Sequence, residues 1–347
     1  MSIYNETLEL EDKLNSLIFD GDILSEQINF FNLYLDNKTD KSYNFNKGLE
    51  QLFFGNETKE ILATENSILH WMYTSLLLLI RKFIEFIEKV YLILEDWCRR
   101  IFNADSIYNV LNNKRIEKLK QQYSKLSKDE QKLFDDLLND ATINRMINKQ
   151  DFINLIDNLG EATDYTIKVM KTSIQNQMQN MFNKAYQLDV KYPWVTNTYV
   201  ALLSNLGVTI SSSRDIKYNS LFTRKQPDNL IILNYKSLDD IFDVQKKYSN
   251  IFDSKYKEII KIPYILKNMR FELRKYEKEV RKINGVDNKV VLNNINYLKQ
   301  QIIFAISVIR HIRQSNVTMV YRIHTLFNKA SFCMKHVLNR RIKEELK

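Results

Sequence analysis

Between positions 80 and 101 the chain places an apolar residue at alternating steps of three and four: Ile80, Phe83, Ile87, Val90, Leu94, Trp97 and Ile101. Ile84, Tyr91 and Cys98 broaden this stripe, while Arg81, Lys82, Glu85, Glu88, Lys89, Glu95 and Asp96 occupy the opposite face. Such spacing predicts a helix that hides one side in a coiled-coil-like seam. Upstream, Ser67 to Ile80 is nearly all apolar for 14 residues. A membrane span needs roughly 20, so the pattern predicts a helix over 66–104 that is buried in protein.

The same periodicity extends over most of the chain. Residues 4–33 read as helix, with Leu8, Leu10, Leu14, Leu17 and Ile18 on one side and a break at Gly21-Asp22. Residues 34–47 read as a loop, followed by a short helix near 47–54. Further helices are expected over 107–127, 128–141, 144–157 and 161–188. Ser127-Lys128-Asp129-Glu130 forms a capping-box sequence, and Gly160 reads as a helix stop. Tyr192-Pro193-Trp194 interrupts the pattern, and a short helix follows near 196–206. The texture then changes: Gly207–Ile210 and Leu230–Tyr235 read as strands, with Pro227-Asp228-Asn229 as the turn between them. Helices return over 237–248, 250–283 (split at Pro263), 287–313 and 315–345, with Asn284–Asp287 turning between two antiparallel helices. The expected fold is all-α, of long helices packed in a bundle-like body, with a small β-hairpin or flap inserted around 207–235. The expected organisation is an acidic leader over 1–65, a helical domain over 66–198, the strand-containing insertion over 199–236 and a basic helical region over 237–347.

Composition narrows the chemistry. The chain has 347 residues with only 6 Gly and 3 Pro, too few turn-formers for a sandwich, barrel or doubly wound sheet. Two cysteines, Cys98 and Cys333, exclude a disulfide framework and a cysteine-based zinc cluster, and point to a reducing compartment. The four histidines, His70, His311, His324 and His336, enter no metalloprotease motif. Neither a dinucleotide fingerprint nor a phosphate loop nor a Gly-x-Ser-x-Gly elbow can be written. Cys333-Met334-Lys335-His336 is half of a metal site and reads as an ordinary helix face. In Asp135-Asp136 and Asp239-Asp240 the carboxylates are helix neighbours, about 100° apart, and do not converge. No catalytic residue, metal ligand or cofactor is therefore assigned, and an enzyme is not expected. Tyr256 and Tyr276, set among Lys and Arg, have the composition of base-stacking positions, although core packing explains them equally well. The start of the chain is acidic and carries no secretory signal.

Charge adds an asymmetry. Net charge is +9, yet residues 1–65 hold 13 Asp/Glu against 5 Lys, a net of −8, which leaves 46 Lys/Arg against 29 Asp/Glu, a net of +17, in the rest. Residues 291–347 alone hold 10 Lys/Arg against Glu344 and Glu345. An acidic leader on a basic body implies self-masking, or a polyanionic partner reached by non-specific electrostatics. Candidate phosphate contacts are Lys299, Arg310, Arg313, Arg322, Lys329, Lys335, Arg340 and Arg341.

The layout resembles the internal head, or core, proteins of very large tailed bacteriophages. The residues that carry the resemblance are the acidic segment from Glu6 to Glu11, the dense Ile/Phe/Trp helix from Trp71 to Phe102, the strand-like Pro227-Asp228-Asn229-Leu230-Ile231-Ile232 (Asp where the family has Gly), and the helical 315–340. The resemblance implies a virion structural protein inside the capsid, present in the infected cytoplasm before packaging. Its implied partners are phage DNA, other internal head or capsid proteins and the prohead protease. That protease cuts after Glu when a small residue stands two places earlier. Ala63-Thr64-Glu65, before Asn66, fits the rule at the charge boundary, and Gly48-Leu49-Glu50 is a weaker match. Two other readings remain open: a membrane-surface or membrane-active protein using residues 67–102, and a cytoplasmic coiled-coil adaptor.

Overall fold

The computed structural model describes residues 13, 16–17, 20–29, 65–139, 146–180, 196–212, 215–218, 232–234, 237–280 and 288–345. Several expectations lie outside them: the loop over 34–47 with its neighbouring helix, Tyr192–Trp194, the Pro227–Asn229 turn, and the turn at Asn284–Asp287.

The fold is all-α. Its helices are α1 (residues 20–29), α2 (Glu65–Ser124), α3 (Lys128–Asn139), α4 (Lys149–Lys168), α5 (Gln175–Asn180), α6 (Asn197–Asn205), α7 (Leu238–Ser254), α8 (Ile262–Val280) and α9 (Asn288–Glu345). A π-helical turn, Val169–Ile174, joins α4 to α5, and a 3-10 segment, Tyr256–Lys261, leads into α8. Among the described residues four short strands accompany them: β1 (Met146–Asn148), β2 (Val208–Ser212), β3 (Asp215–Tyr218) and β4 (Ile232–Asn234).

The predicted seam is buried. Ile80, Phe83, Ile87 and Val90 are all fully enclosed, and Leu94 and Trp97 nearly so. The helix does not end near 104, however. α2 runs unbroken for 60 residues, because nothing between Asn103 and Ile107 is Gly or Pro and because Asp105 has partners that hold it inside. A second column, one residue every seven, runs along the buried face: Ile84, Tyr91, Cys98, Asp105, Asn112 and Leu119 are all buried. An α-helix drifts about 20° per heptad against a strict seven-residue repeat, so the buried line slides off the first column onto this one.

The glycines were misleading. Gly21 lies inside a helix, where a Cβ would come within 2.5 Å of Ile303 Cδ1. Gly160 lies inside α4, where a Cβ would sit 3.0 Å from Ile251 and from Lys255. Both permit close approach and neither terminates its helix. Gly207 does terminate one. With φ at 80° it takes the left-handed conformation after α6, and its N–H reaches Ser204 O at 2.9 Å. The N-terminus of α6 is capped by Thr196, whose hydroxyl accepts from Tyr199 N at 3.2 Å. The capping box forms as written: Ser127 N donates to Glu130 Oε2 at 2.7 Å, and Glu130 N to Ser127 Oγ at 3.3 Å.

Four further expectations need correction. The segment near 207–210 does pair as a hairpin, but with 215–218 and not with 230–235 (Val208 opposite Tyr218, Ile210 opposite Ile216). β4 pairs in parallel with β1, Met146 opposite Ile232, in a stretch expected to be helical. The break expected near residue 249 falls at Lys255–Lys261, so Pro263 stands in the first turn of α8, where its missing N–H costs nothing. The break expected at Gln314 is absent, and α9 is continuous for 58 residues.

Tertiary contacts group the described residues into two units. The first draws on Met1–Cys98, Lys168–Trp194 and Ile260–Ile306, and the second on Arg99–Ile167, Val195–Ile259 and Ser307–Lys347. In the first, α1, α2, α8 and α9 are tied together around the seam. Arg81 pairs with Glu277 at 2.7 Å, Lys89 with Asp20 at 2.8 Å, and Lys82 donates to Gln27 at 3.2 Å. In the second, Phe102, Phe252 and Tyr256 form an aromatic triad with centroids 5.0 to 6.4 Å apart. Tyr199 stacks on Tyr165 at 4.5 Å and shares a 2.6 Å hydrogen bond with Thr166.

Candidate functional site

The eight basic residues proposed from sequence do not form one surface. Lys299, in the first unit, is buried. It donates to Gly21 O at 2.7 Å and to Ser25 Oγ. The glycine that lets α1 approach also supplies the carbonyl that satisfies this ammonium, and a lysine so enclosed is removed from the candidate phosphate contacts. In the second unit Arg322 is buried, Arg310 and Lys329 are half-buried, and Lys329 donates to Leu138 O at 3.0 Å. Arg313 faces inward, paired with Asp105. The exposed members are Lys335, Arg340 and Arg341, all near the C-terminal end of α9, with Lys343 beside them. Arg341 comes within 3.9 Å of Glu130.

Arg313 belongs to a buried polar cluster in the second unit. Its Nη1 lies 2.9 Å from Asp105 Oδ2. Asn316, one turn further along α9, donates to the same oxygen at 3.0 Å and accepts from the Tyr248 hydroxyl at 2.9 Å. Burial pushes the Asp105 carboxyl up to about 6, against the opposing pull of Arg313 and Asn316. Next along α2, Gln245 Nε2 of α7 donates to Asn109 Oδ1 at 2.7 Å, and Ser249 Oγ donates to the same atom at 2.8 Å. Asp105, Asn109 and Asn112 thus occupy seam positions that are apolar nearer the N-terminus of α2. Through Asp105 and Asn109 the cluster joins α2, α7 and α9 by paired polar groups, an arrangement that a slip of one helix past another would break. The sequence signal was available, since Asp105 and Asn112 continue the sevenfold column from Ile84.

The other candidates resolve plainly. Ala63, Thr64, Gly48, Leu49 and Glu50 lie outside the described residues, and Glu65 and Asn66 are the first residues of α2. Cys333 is buried while His336 is exposed on the same helix, so the half-site does not converge. Among the described residues no group of three His, Cys, Asp or Glu is placed to hold a metal ion. Tyr256 and Tyr276 are both buried and belong to the cores. Lys149 bridges to Asp240 at 2.9 Å, which accounts for one of the adjacent acid pairs. Tyr123 donates to Asp135 at 2.9 Å, which accounts for one member of the other.

On the outside of the second unit, α2 and α9 run side by side. Arg115 Nη1 lies 3.1 Å from His324 Nδ1 and 3.5 Å from Asn328 Oδ1, and the Tyr108 ring meets His324 edge-on at 6.3 Å. A guanidinium only donates, so Nδ1 is the accepting nitrogen. Burial, and then the charge of Arg115, hold this imidazole below the usual histidine value.

No family model matches the chain, and neither a curated protein nor a solved structure matches it.

Proposed function

We propose that this chain is a structural protein of a phage head interior, made with an acidic leader, cut after Glu65, and lodged against packaged DNA through its basic remainder. The charge layout carries this reading. Net charge moves from +9 to +17 if residues 1–65 are lost, and α9 has no Asp or Glu from Asn288 to Lys343. A phosphate backbone attracts such a surface without reading sequence and in a salt-dependent way. The leader would keep the body off nucleic acid until assembly is complete. Other head proteins and the prohead protease are the remaining partners.

The membrane-surface reading is the less favoured of the two. The apolar side of α2 is buried within the first unit from Leu76 to Trp97. Among the described residues no helix is long and apolar enough to cross a membrane. The test is N-terminal peptide mass spectrometry on the protein from its source particle. A mature terminus at Asn66 is expected, and an intact Met1 or Ser2 terminus would remove the processing step.

A further inference from the structure

We infer that the outer row of α9 in the second unit, flanked by α2, is a docking surface for a single nucleic-acid strand. Tyr321 and Phe332 serve as stacking platforms, and Arg115, Lys118 and Lys335 as phosphate partners. This rests on the polyanion-binding reading above only for the basic character of α9, and it adds an unpaired strand as a ligand distinct from the packaged duplex.

Val317, Tyr321, Thr325, Asn328, Phe332 and Lys335 recur at steps of three and four, so they share one helix face. The two rings on it are open to solvent, Tyr321 at 52% and Phe332 at 71% exposure. They stand eleven positions apart, roughly 16 Å along the axis. The Arg115 contacts with His324 and Asn328 set the exposed row of α2 alongside. That row reads Tyr108, Leu111, Arg115 and Lys118, all exposed.

Charge identifies the occupant. Within this unit α9 has no carboxylate up to Lys343, and its exposed cations are Lys335, Arg340, Arg341 and Lys343, so nothing on this stretch of the helix repels a phosphate. Exposed rings on a cationic face are what sequence-blind strand binders use, because every base offers a π-face. Duplex DNA would use only the cations, since its base faces are stacked against one another. A lipid surface would want an apolar row throughout, whereas Thr325 and Asn328 stand between the two rings. A comparable row on α8 of the first unit, Tyr264 and Phe271, is electrostatically different. There Glu88 pairs with Arg270 and Arg274, and Glu272 with Lys275.

The test uses the full chain and fluorescence anisotropy at about 50 and 200 mM salt. Probes are an oligothymidylate of about 20 nucleotides, a duplex of the same length, and anionic phosphatidylserine vesicles. Replacing both rings (Tyr321→Ala with Phe332→Ala) is expected to weaken strand binding by about tenfold or more and to leave duplex binding unchanged. Tyr321→Leu with Phe332→Leu, which keeps apolar bulk, should behave the same way, and Tyr264→Ala with Phe271→Ala should bind like the parent. The inference is overturned if the ring variants bind the strand like the parent, if the parent prefers duplex to strand, or if only vesicles bind. Tight duplex binding with no ring effect sinks this inference and leaves the broader reading standing. Failure to bind either nucleic acid sinks both.

Discussion

Asp105 on α2 and Arg313 on α9 face each other across 2.9 Å in the interior of the second unit, with Asn316 closing on the same carboxylate oxygen. Two opposite charges enclosed in this way contribute little net stability, because desolvation offsets their attraction, but loss of one partner strands the other. Arg313→Met is therefore expected to cost about 3 to 5 kcal/mol in urea unfolding at neutral pH, and Asp105→Leu with Arg313→Met to recover most of that. A loss in the double variant equal to the sum of the losses in Arg313→Met and Asp105→Leu alone would mean the pair is not coupled.

The same carboxyl gives a pH dependence with a fixed sign. Its value of about 6 in the folded chain is above the ordinary 3.8, so the folded state binds a proton more tightly than the unfolded one. The associated stability is fully present below about pH 4 and is lost as pH rises through about 6, by an amount on the order of 3 kcal/mol. Unfolding of the parent and of Asp105→Asn, compared at both ends of that window, should diverge in this direction. Parallel profiles would rule it out.

Gly21 sits where a methyl group would meet Ile303 Cδ1. Gly21→Ala should cost about 1 to 2 kcal/mol through overpacking. In an Ile303→Val background, which lacks that terminal carbon, helix propensity should return about 1 kcal/mol. Thermal unfolding of the four combinations decides this, and additive effects would show that the two residues do not touch.

The capping box at the head of α3 offers a simpler test. Ser127→Ala removes the hydroxyl that accepts from Glu130 N and should destabilise the chain by about 1 kcal/mol. The Glu130 carboxyl is held below its usual value chiefly by the Ser127 backbone N–H. Carbon-detected NMR titration should find that depression largely retained in the alanine variant, because its principal cause survives.

If the basic end of α9 meets phosphates, the salt dependence of DNA binding will show how many it neutralises. Replacing Lys335, Arg340 and Arg341 by Gln should flatten the slope of log K against log salt by about 0.9 for each phosphate no longer neutralised. Lys299→Met should leave the slope unchanged, because that ammonium is held by Gly21 O and Ser25 Oγ. A slope indifferent to the three exposed residues would place the phosphates elsewhere.

Much of the helical content was readable, and the failures share a cause. The stripe from Ile80 to Trp97 announced its own burial through spacing. Asp105 continues the sevenfold column from Ile84, which marks its face, but neither its role nor that of Asn109 was legible, because a carboxylate or amide in a seam has meaning only through its partners, which here lie more than 130 positions away: Asn316 of α9 for Asp105, and Gln245 of α7 for Asn109. Gly21 and Gly160 resembled helix breaks because local rules see a missing side chain and not the Ile303 or Ile251 that fills the space. The pairing of β1 with β4 links residues 86 positions apart (Met146 with Ile232), beyond anything a turn sequence can indicate. Among the candidate phosphate-binding residues, Lys299 and Lys335 are indistinguishable by charge, and only packing separates the buried one from the exposed one.

Neither cysteine is in a disulfide and both are buried, Cys98 in the first unit and Cys333 in the second. Burial pushes the Cys98 thiol up to about 12 and raises that of Cys333. Only the thiolate reacts, so both are expected to alkylate slowly while the chain stays closed. Each unit therefore contains its own clock. Under a pulse of iodoacetamide, the mass of the peptide bearing Cys98 records openings of one unit and that bearing Cys333 openings of the other, so their lifetimes can be timed separately without any engineered label.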